Sequence, residues 1–327
     1  MMQFTNFAGS EEKVSRIGFG AMGLGGTLGS YSEDDLIRSV IHSLERGVNF
    51  IDTARAYGQS ERLVGKALQM WQGEKPFLAS KIESKYPGSV GWGKYVPVEE
   101  AFPKGWLRQS TEISLRELQA DTIDLMQLHQ FWPQWTKQDY WVEELGRLKE
   151  EGKIRYIGVS LPDQRHDIAL PLAQSGIVDS IQTVFNIFDP LPLDSLIPIC
   201  QENKVAFIAR CVMDEGGLSG FLTENTVFED GDYRKSYFDY VPRSMYIERV
   251  NRLRKFIPEY ADSLAELAIK YVLKHPGVTT ALVSMHVPQY ADENIAALDK
   301  APLPDDVFEE IFRYHRWVRN FYDTKFW

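Results

Sequence analysis

The sequence predicts an α/β protein: a closed (β/α)8 barrel of parallel strands, each followed by a helix. Two observations point there. Short apolar runs alternate with helical patterns through eight strand–helix units of a 327-residue chain. Neither a shift in composition nor an internal repeat divides the chain, so residues 1–327 are expected to form one domain.

Taken in order, the first strand, 17–20, runs into a glycine-rich stretch that ends at Gly29. Gly18-x-Gly20-x-x-Gly23 has the spacing of a dinucleotide-binding loop. That motif needs a helix opening at its last glycines, whereas Leu24-Gly25-Gly26-Thr27-Leu28-Gly29 reads on as loop. These glycines are expected instead to let the backbone come close to something bound above the barrel. The first helix starts at Ser32, an N-cap with Asp35 at N3, and runs to about Arg46. Further strands are expected at 49–52, 77–81, 122–128, 154–160, 180–185, 205–209 and 279–283. Helical patterns lie near 61–70, 105–119, 139–151, 164–175, 193–203, 261–274 and 289–298. An extra C-terminal helix is expected at 305–319, before the aromatic-rich segment 320–327.

Composition narrows the function. The net charge of −10, with no sustained basic run, argues against nucleic acid or an anionic membrane as partner. Cys200 and Cys211 are too few for a disulfide scaffold or a cysteine-ligated zinc, and a reducing cytoplasm is the expected location. Residues 1–13 lack an apolar signal core, and no apolar run reaches membrane-spanning length. Of the six histidines only His129 lies at a strand end, and none has His-x-His or His-x-x-x-His spacing, so no metal site is expected.

The long connections 83–102, 130–138 and 215–245 all follow strands, where barrel loops shape a site. Tyr86, Trp92, Tyr95, Trp132, Phe221 and Tyr237 are among their aromatics, which would suit an apolar or flat substrate or simply pin the loops down.

Polar residues close the strands. Asp52 ends the second, Lys81 the third, His129 the fourth and Ser160 the fifth, and Tyr57 follows Asp52 in a turn of small residues. Alone, Asp52 reads equally well as a turn or capping residue, Lys81 as a salt-bridged lysine and His129 as a satisfied core histidine. Four such residues at equivalent places point to one site at the mouth. A free phenol titrates near 10 and releases its proton slowly, and a neighbouring ammonium would ease that release. Asp52 would hold the ammonium, and His129 would orient a carbonyl oxygen. The set suits protonation of an oxygen that becomes an alkoxide. It supplies no electrons, so a hydride donor must be borrowed. The alternatives are a low-turnover, cofactor-binding redox sensor on the same barrel and a Schiff-base aldolase using Lys81.

From about residue 17 to 298 the chain resembles the aldo-keto reductases. The matching motifs are Phe50-Ile51-Asp52-Thr53-Ala54 with Tyr57-Gly58 and Ser60-Glu61, then Ser80-Lys81, and Asp121-x-Ile123-Asp124-Leu125 with Leu128-His129. They continue through Gly152-Lys153-Ile154-Arg155-Tyr156-Ile157-Gly158-Val159-Ser160, Gln182 with Asn186, Gly216-Gly217-Leu218-Ser219-Gly220 and Glu293-Asn294. The resemblance implies a short N-terminal hairpin, reduction of an aldehyde or ketone to an alcohol, and NADP(H) or, less often, NAD(H). It implies Tyr57 as proton donor, Lys81 as its tuner, Asp52 as the partner of Lys81, and His129 as the group that orients the carbonyl. Ser160 and Gln182 would hold the nicotinamide carboxamide. Arg210, Cys211, Met213 and Gly216 would contact nicotinamide and pyrophosphate, and Ser284, His286, Glu293 and Asn294 the adenosine end. Gly20, Met22 and Asp52 complete the implied cofactor contacts. Five positions depart from the family pattern. Leu161 replaces an asparagine, Arg210 a stacking aromatic and Cys211 a serine. His286 and Tyr290 stand where a basic residue often meets the 2′-phosphate, which weakens the preference for NADP(H).

Overall fold

The computed structural model describes residues 2–85, 95–137, 139–239 and 241–318. Tyr86, Trp92 and the aromatic segment 320–327 lie outside the described residues.

Eight parallel strands close into a barrel in chain order: β3 (Ile17–Gly20), β4 (Phe50–Asp52), β5 (Phe77–Ile82), β6 (Ile123–His129), β7 (Ile154–Ser160), β8 (Ser180–Val184), β9 (Ala206–Arg210) and β10 (Val278–Ser284). An antiparallel hairpin of β1 (Phe4–Asn6) and β2 (Lys13–Ser15) precedes them. Each expected strand is present, most with ends displaced by a residue or two.

The first helix, Glu33–Glu45, begins where the capping pattern placed it, with the Ser32 hydroxyl accepting from the Asp35 N–H at 3.2 Å. The glycine stretch is not wholly loop, because Ala21–Gly25 forms a 3-10 turn. The helix expected over 164–175 is broken into a 3-10 turn, His166–Ala169, and a short helix, Leu170–Ala173. Pro171 lies at that second start, where its missing N–H does no harm. Prolines act alike at 193–203, which splits into a 3-10 turn, Leu191–Asp194, and a helix, Leu196–Glu202. The connection 215–245, read as loop, contains one helix, Arg234–Phe238, and the start of another, Arg243–Arg252. The C-terminal helix is Asp305–Tyr314, shorter than expected.

Side chains along a strand alternate between faces, and here the alternation sorts the core in two. Ile51, Leu78, Met126 and Ile181 join the large cluster between barrel and helices. Phe50, Phe77, Ala79, Leu125, Ala206, Ile208 and Leu282 form a separate cluster inside the barrel, joined by Phe7 and Val14 from the hairpin segment. Two residues further along the same inward rows stand Asp52, Lys81, Gln127, Arg210 and Ser284. The barrel is therefore apolar at its base and polar at the C-terminal mouth. Gly18 and Gly158 relieve crowding between these layers. A Cβ on Gly18 would lie 2.8 Å from Leu282, and one on Gly158 2.2 Å from the Ser180 hydroxyl.

Phe7 plugs the base, with ring centroids 4.7 Å from Phe77, 4.9 Å from Tyr156 and 6.4 Å from Phe50. Phe7→Ala is expected to cost about 3–5 kcal/mol, read from urea unfolding. Coenzyme binding at the opposite end of the barrel should be nearly unchanged in the folded variant.

Candidate active site

Lys81 is fully buried at the end of β5, and Asp52 is 3% exposed at the end of β4. The ammonium donates to the Asp52 carboxylate, to the Thr53 carbonyl at 2.9 Å and to the Tyr57 phenol oxygen at 3.3 Å. Its three protons therefore meet three oxygens, which is what lets a cation persist without water. Because Lys81 donates to the Tyr57 oxygen, the phenol proton is left pointing away from it. The His129 ring stands edge-on to the Tyr57 ring, centroids 5.9 Å apart.

The turn that carries Tyr57 is tied down from several sides. Thr53 N–H donates to the Ala79 carbonyl at 2.9 Å, and Tyr57 N–H to the Ala54 carbonyl at 3.1 Å. The Ser60 hydroxyl bonds both the Thr53 hydroxyl and the Ala21 carbonyl at 2.8 Å. Glu61, buried, accepts from Ser80 at 2.6 Å and from Arg55 at 2.9 Å. Gly25 closes the contact with the glycine stretch, since a Cβ there would sit 2.6 Å from the Tyr57 carbonyl oxygen.

The other oxygen of Asp52 accepts from the amides of Gln182 at 2.9 Å and Gln127 at 3.2 Å. Gln182 thus uses its N–H groups within the protein. Gln127 was not singled out from the sequence. The signal for it was a polar residue at an inward position of β6, two residues after Leu125.

Ladder register brings the remaining strand ends level. Gly20 pairs with both Asp52 and Ser284, and Ser160 with both His129 and Gln182. Arg210 ends β9, where its guanidinium donates to the Leu161 carbonyl at 2.9 Å and to Asp163 at 2.5 Å. The Cys211 thiol donates to Glu215 at 2.8 Å. Cys211, Asp214 and Glu215 adopt left-handed φ of +51°, +46° and +57°, followed by Gly216 at +91°. Such a run of strained residues marks a built loop. Met213 packs half-buried on the core behind it, and Met22 is half-buried in the 3-10 turn after β3. At the rim, Ser284 bonds His286 at 2.6 Å, and Asn294 donates to the Ser284 carbonyl at 3.2 Å. His286 lies so close to Gly23 that a Cβ there would be 2.4 Å from its ring nitrogen. Glu293 is exposed and accepts from the Gln289 amide at 2.9 Å.

Electrostatics departs from expectation at one point. Burial pushes the Tyr57 phenol above its ordinary 10, and the cations Lys81 and Arg210 only partly oppose it. Burial likewise opposes the Lys81 charge, but Asp52 and the phenol together hold that ammonium above its usual range. This charge makes Lys81 a poor Schiff-base nucleophile. Burial, reinforced by Lys81 and Arg210, drives His129 down to about 3, so its imidazole is neutral.

The residues present fit a nicotinamide dinucleotide. Ser160 stands buried at its strand end level with Gln182, the backbone turns through left-handed φ into Gly216, and the Ser284–Asn294 rim is polar. No group of three or more His, Cys, Asp or Glu side chains among the described residues could hold a metal, and none of the described helices is long and apolar enough to cross a membrane.

A phenol, an ammonium and a carboxylate are thus locked together at the open mouth of the barrel, beside residues that fit a nicotinamide dinucleotide, which is the layout of a cofactor-dependent enzyme. Comparison with known proteins gives the family. The model of the Aldo/keto reductase family matches residues 16–314. Aldo-keto reductase YhdN of Bacillus subtilis is 31% identical over 88% of this chain and 86% of its own length. The NADH-specific methylglyoxal reductase of Escherichia coli is 28% identical over 88% and 90%. Among solved structures, the holo form of aldo-keto reductase AKR11C1 from Bacillus halodurans has a TM-score of 0.77 and 28% identity, covering 97% of this chain and 98% of that one. The chain belongs to the aldo/keto reductase family and is an NAD(P)-dependent oxidoreductase.

The folded value of His129, near 3, lies below the ordinary 6.5, so between the two the unfolded chain binds the proton first. Stability from this residue is intact above pH 6.5 and is lost as pH falls toward 3. The His129 ring proton resonances should not titrate between pH 8 and about 5. His129→Asn should flatten the fall of the unfolding midpoint over that acid range.

Proposed function

We propose that the protein reduces an aldehyde or ketone to an alcohol at the expense of NAD(P)H, with Tyr57 as the proton donor. The observation that carries this reading is the Lys81 ammonium held between Asp52 and the Tyr57 oxygen. The nicotinamide, when bound, supplies the hydride. Neutral His129 donates a hydrogen bond to the substrate carbonyl oxygen and sets it beside the phenol. As negative charge grows on that oxygen, Tyr57 gives up its proton, and Lys81 stabilises the phenolate left behind. Burial raises the cost of phenolate in the folded protein, so this proton moves only toward a base as strong as a forming alkoxide. Ser160 and the Gln182 carbonyl oxygen receive the carboxamide, Arg210 borders the nicotinamide, and the turn from Cys211 through Met213 to Gly216 receives the pyrophosphate. Gly20 and Met22 lie along the same edge.

Tyr57→Phe should lower carbonyl reduction by about 10²–10⁴-fold while coenzyme binding, followed by quenching of tryptophan fluorescence, stays near wild type. Unchanged turnover in that variant would defeat the assignment.

Coenzyme choice is proposed to rest on the rim at 284–294, which contains no lysine or arginine. Burial, with the Arg234 charge, holds His286 at about 4, so the histidine brings no cation to a 2′-phosphate, and Arg234 itself is paired with Asp232 at 2.5 Å. NADP(H) remains favoured on family grounds, while the NADH specificity of the Escherichia coli relative supports use of NAD(H). A side-by-side titration should give NADPH and NADH dissociation constants within about tenfold of each other, because a fixed cation on the 2′-phosphate is the usual source of a larger gap. A hundredfold advantage for NADPH would refute this reading.

A further inference from the structure

Gln127 has no part in the chemistry above, yet it is fully buried at the centre of the polar layer. It stands on β6 between Leu125 and His129, level with Lys81 across the ladder. A barrel core would favour an apolar side chain here, because a buried amide costs free energy unless its polar ends are matched. Both ends are matched. Its N–H donates to Asp52 Oδ2 at 3.2 Å, and its carbonyl oxygen accepts from Gln182 Nε2 at 3.3 Å. Gln182 Nε2 also donates to the same Asp52 oxygen at 2.9 Å. A carboxylate only accepts, so it orients both amides. Asp52 Oδ2 is thereby occupied twice, and Oδ1 faces Lys81.

The geometry points to Gln127 as a positioning residue for proton transfer, one that locks Asp52 in the rotamer holding Lys81 against the Tyr57 oxygen. This rests on the reading of Tyr57 as proton donor. Gln182 shares the lock, so the residue proposed to receive the carboxamide and the carboxylate that anchors the ammonium belong to one hydrogen-bonded group. Without the Gln127 N–H, Asp52 keeps one of two fixed donors and is freer to turn from Lys81. The ammonium is then held less firmly in its charged form and loses its proton at a lower pH.

The test compares Gln127→Met and Gln127→Glu with wild type and Tyr57→Phe. Gln127→Met keeps the volume and removes both polar ends. Its kcat should fall by about ten- to a hundredfold, as expected for loss of a hydrogen bond to a charged group. KM and the thermal midpoint should change little. The alkaline limb of its kcat–pH profile should move to lower pH. In the coenzyme-free protein, the Tyr57 phenolate absorbance, isolated by difference against Tyr57→Phe, should appear at higher pH than in wild type. Gln127→Glu should be as slow where its carboxyl is ionised and recover as pH falls through that carboxyl's range, which burial and the Asp52 charge raise above the ordinary carboxylate value, because the protonated carboxyl donates to Asp52. A residue that merely filled space would produce neither the moved limb nor the acid recovery. A Gln127→Met enzyme within twofold of wild type with an unmoved limb would overturn the proposal. So would a Gln127→Glu enzyme with no acid recovery, and this second variant decides the matter if the first does not fold. Full turnover in Tyr57→Phe would remove the underlying reading as well, whereas an inactive Tyr57→Phe beside a normal Gln127→Met would reject the role of Gln127 alone.

Discussion

The ion pair between Asp52 and Lys81 is the constraint around which the mouth of the barrel is arranged. Removing two charges from water costs several kcal/mol per ion, and their mutual attraction offsets that only when the remaining polar atoms are also matched. Here the match extends over four strands: Lys81 reaches the Thr53 carbonyl and Tyr57, and Asp52 reaches Gln127 and Gln182. A buried network satisfied in this way fixes one arrangement, because a turned side chain leaves an unpaired charge in the core.

The barrel makes such a network possible through its regular alternation. Inward rows that begin with Phe50, Phe77 and Leu125 pack an apolar base, and the same rows end in Asp52, Lys81 and Gln127. Parallel neighbours in register bring strand ends from distant parts of the chain to one level, so residues separated by 130 positions, Asp52 and Gln182, share a hydrogen bond. The low dielectric of the layer below explains two shifts at once. It raises the cost of phenolate at Tyr57 and keeps the His129 imidazole neutral.

Loops complete the rim by a different principle. The strained turn after β9 is held from beneath by the Tyr246 hydroxyl, which donates to Asp214 at 2.7 Å. A Cβ on Gly217 would lie 2.0 Å from that hydroxyl, so the glycine there serves close packing. Arg210 is pinned by Asp163 and the Leu161 carbonyl, which orients its planar guanidinium across the edge of the mouth.

The barrel and the gathering of Asp52, Tyr57, Lys81 and His129 at its mouth were legible in the sequence, because short apolar runs alternating with helical patterns and strand-end position are local signals. Ser32 and Asp35 announced the first helix for the same reason. The splitting of the helices at 164–175 and 193–203 was written in Pro171 and Pro198, though the wider helical pattern concealed it. Tertiary structure alone decided the helices Arg234–Phe238 and Arg243–Arg252, the pairing of Gln127 and Gln182 on Asp52, and the upward shift of the Tyr57 phenol. Each of these depends on which distant groups share a buried space and on how much water that space excludes. A linear pattern carries neither quantity.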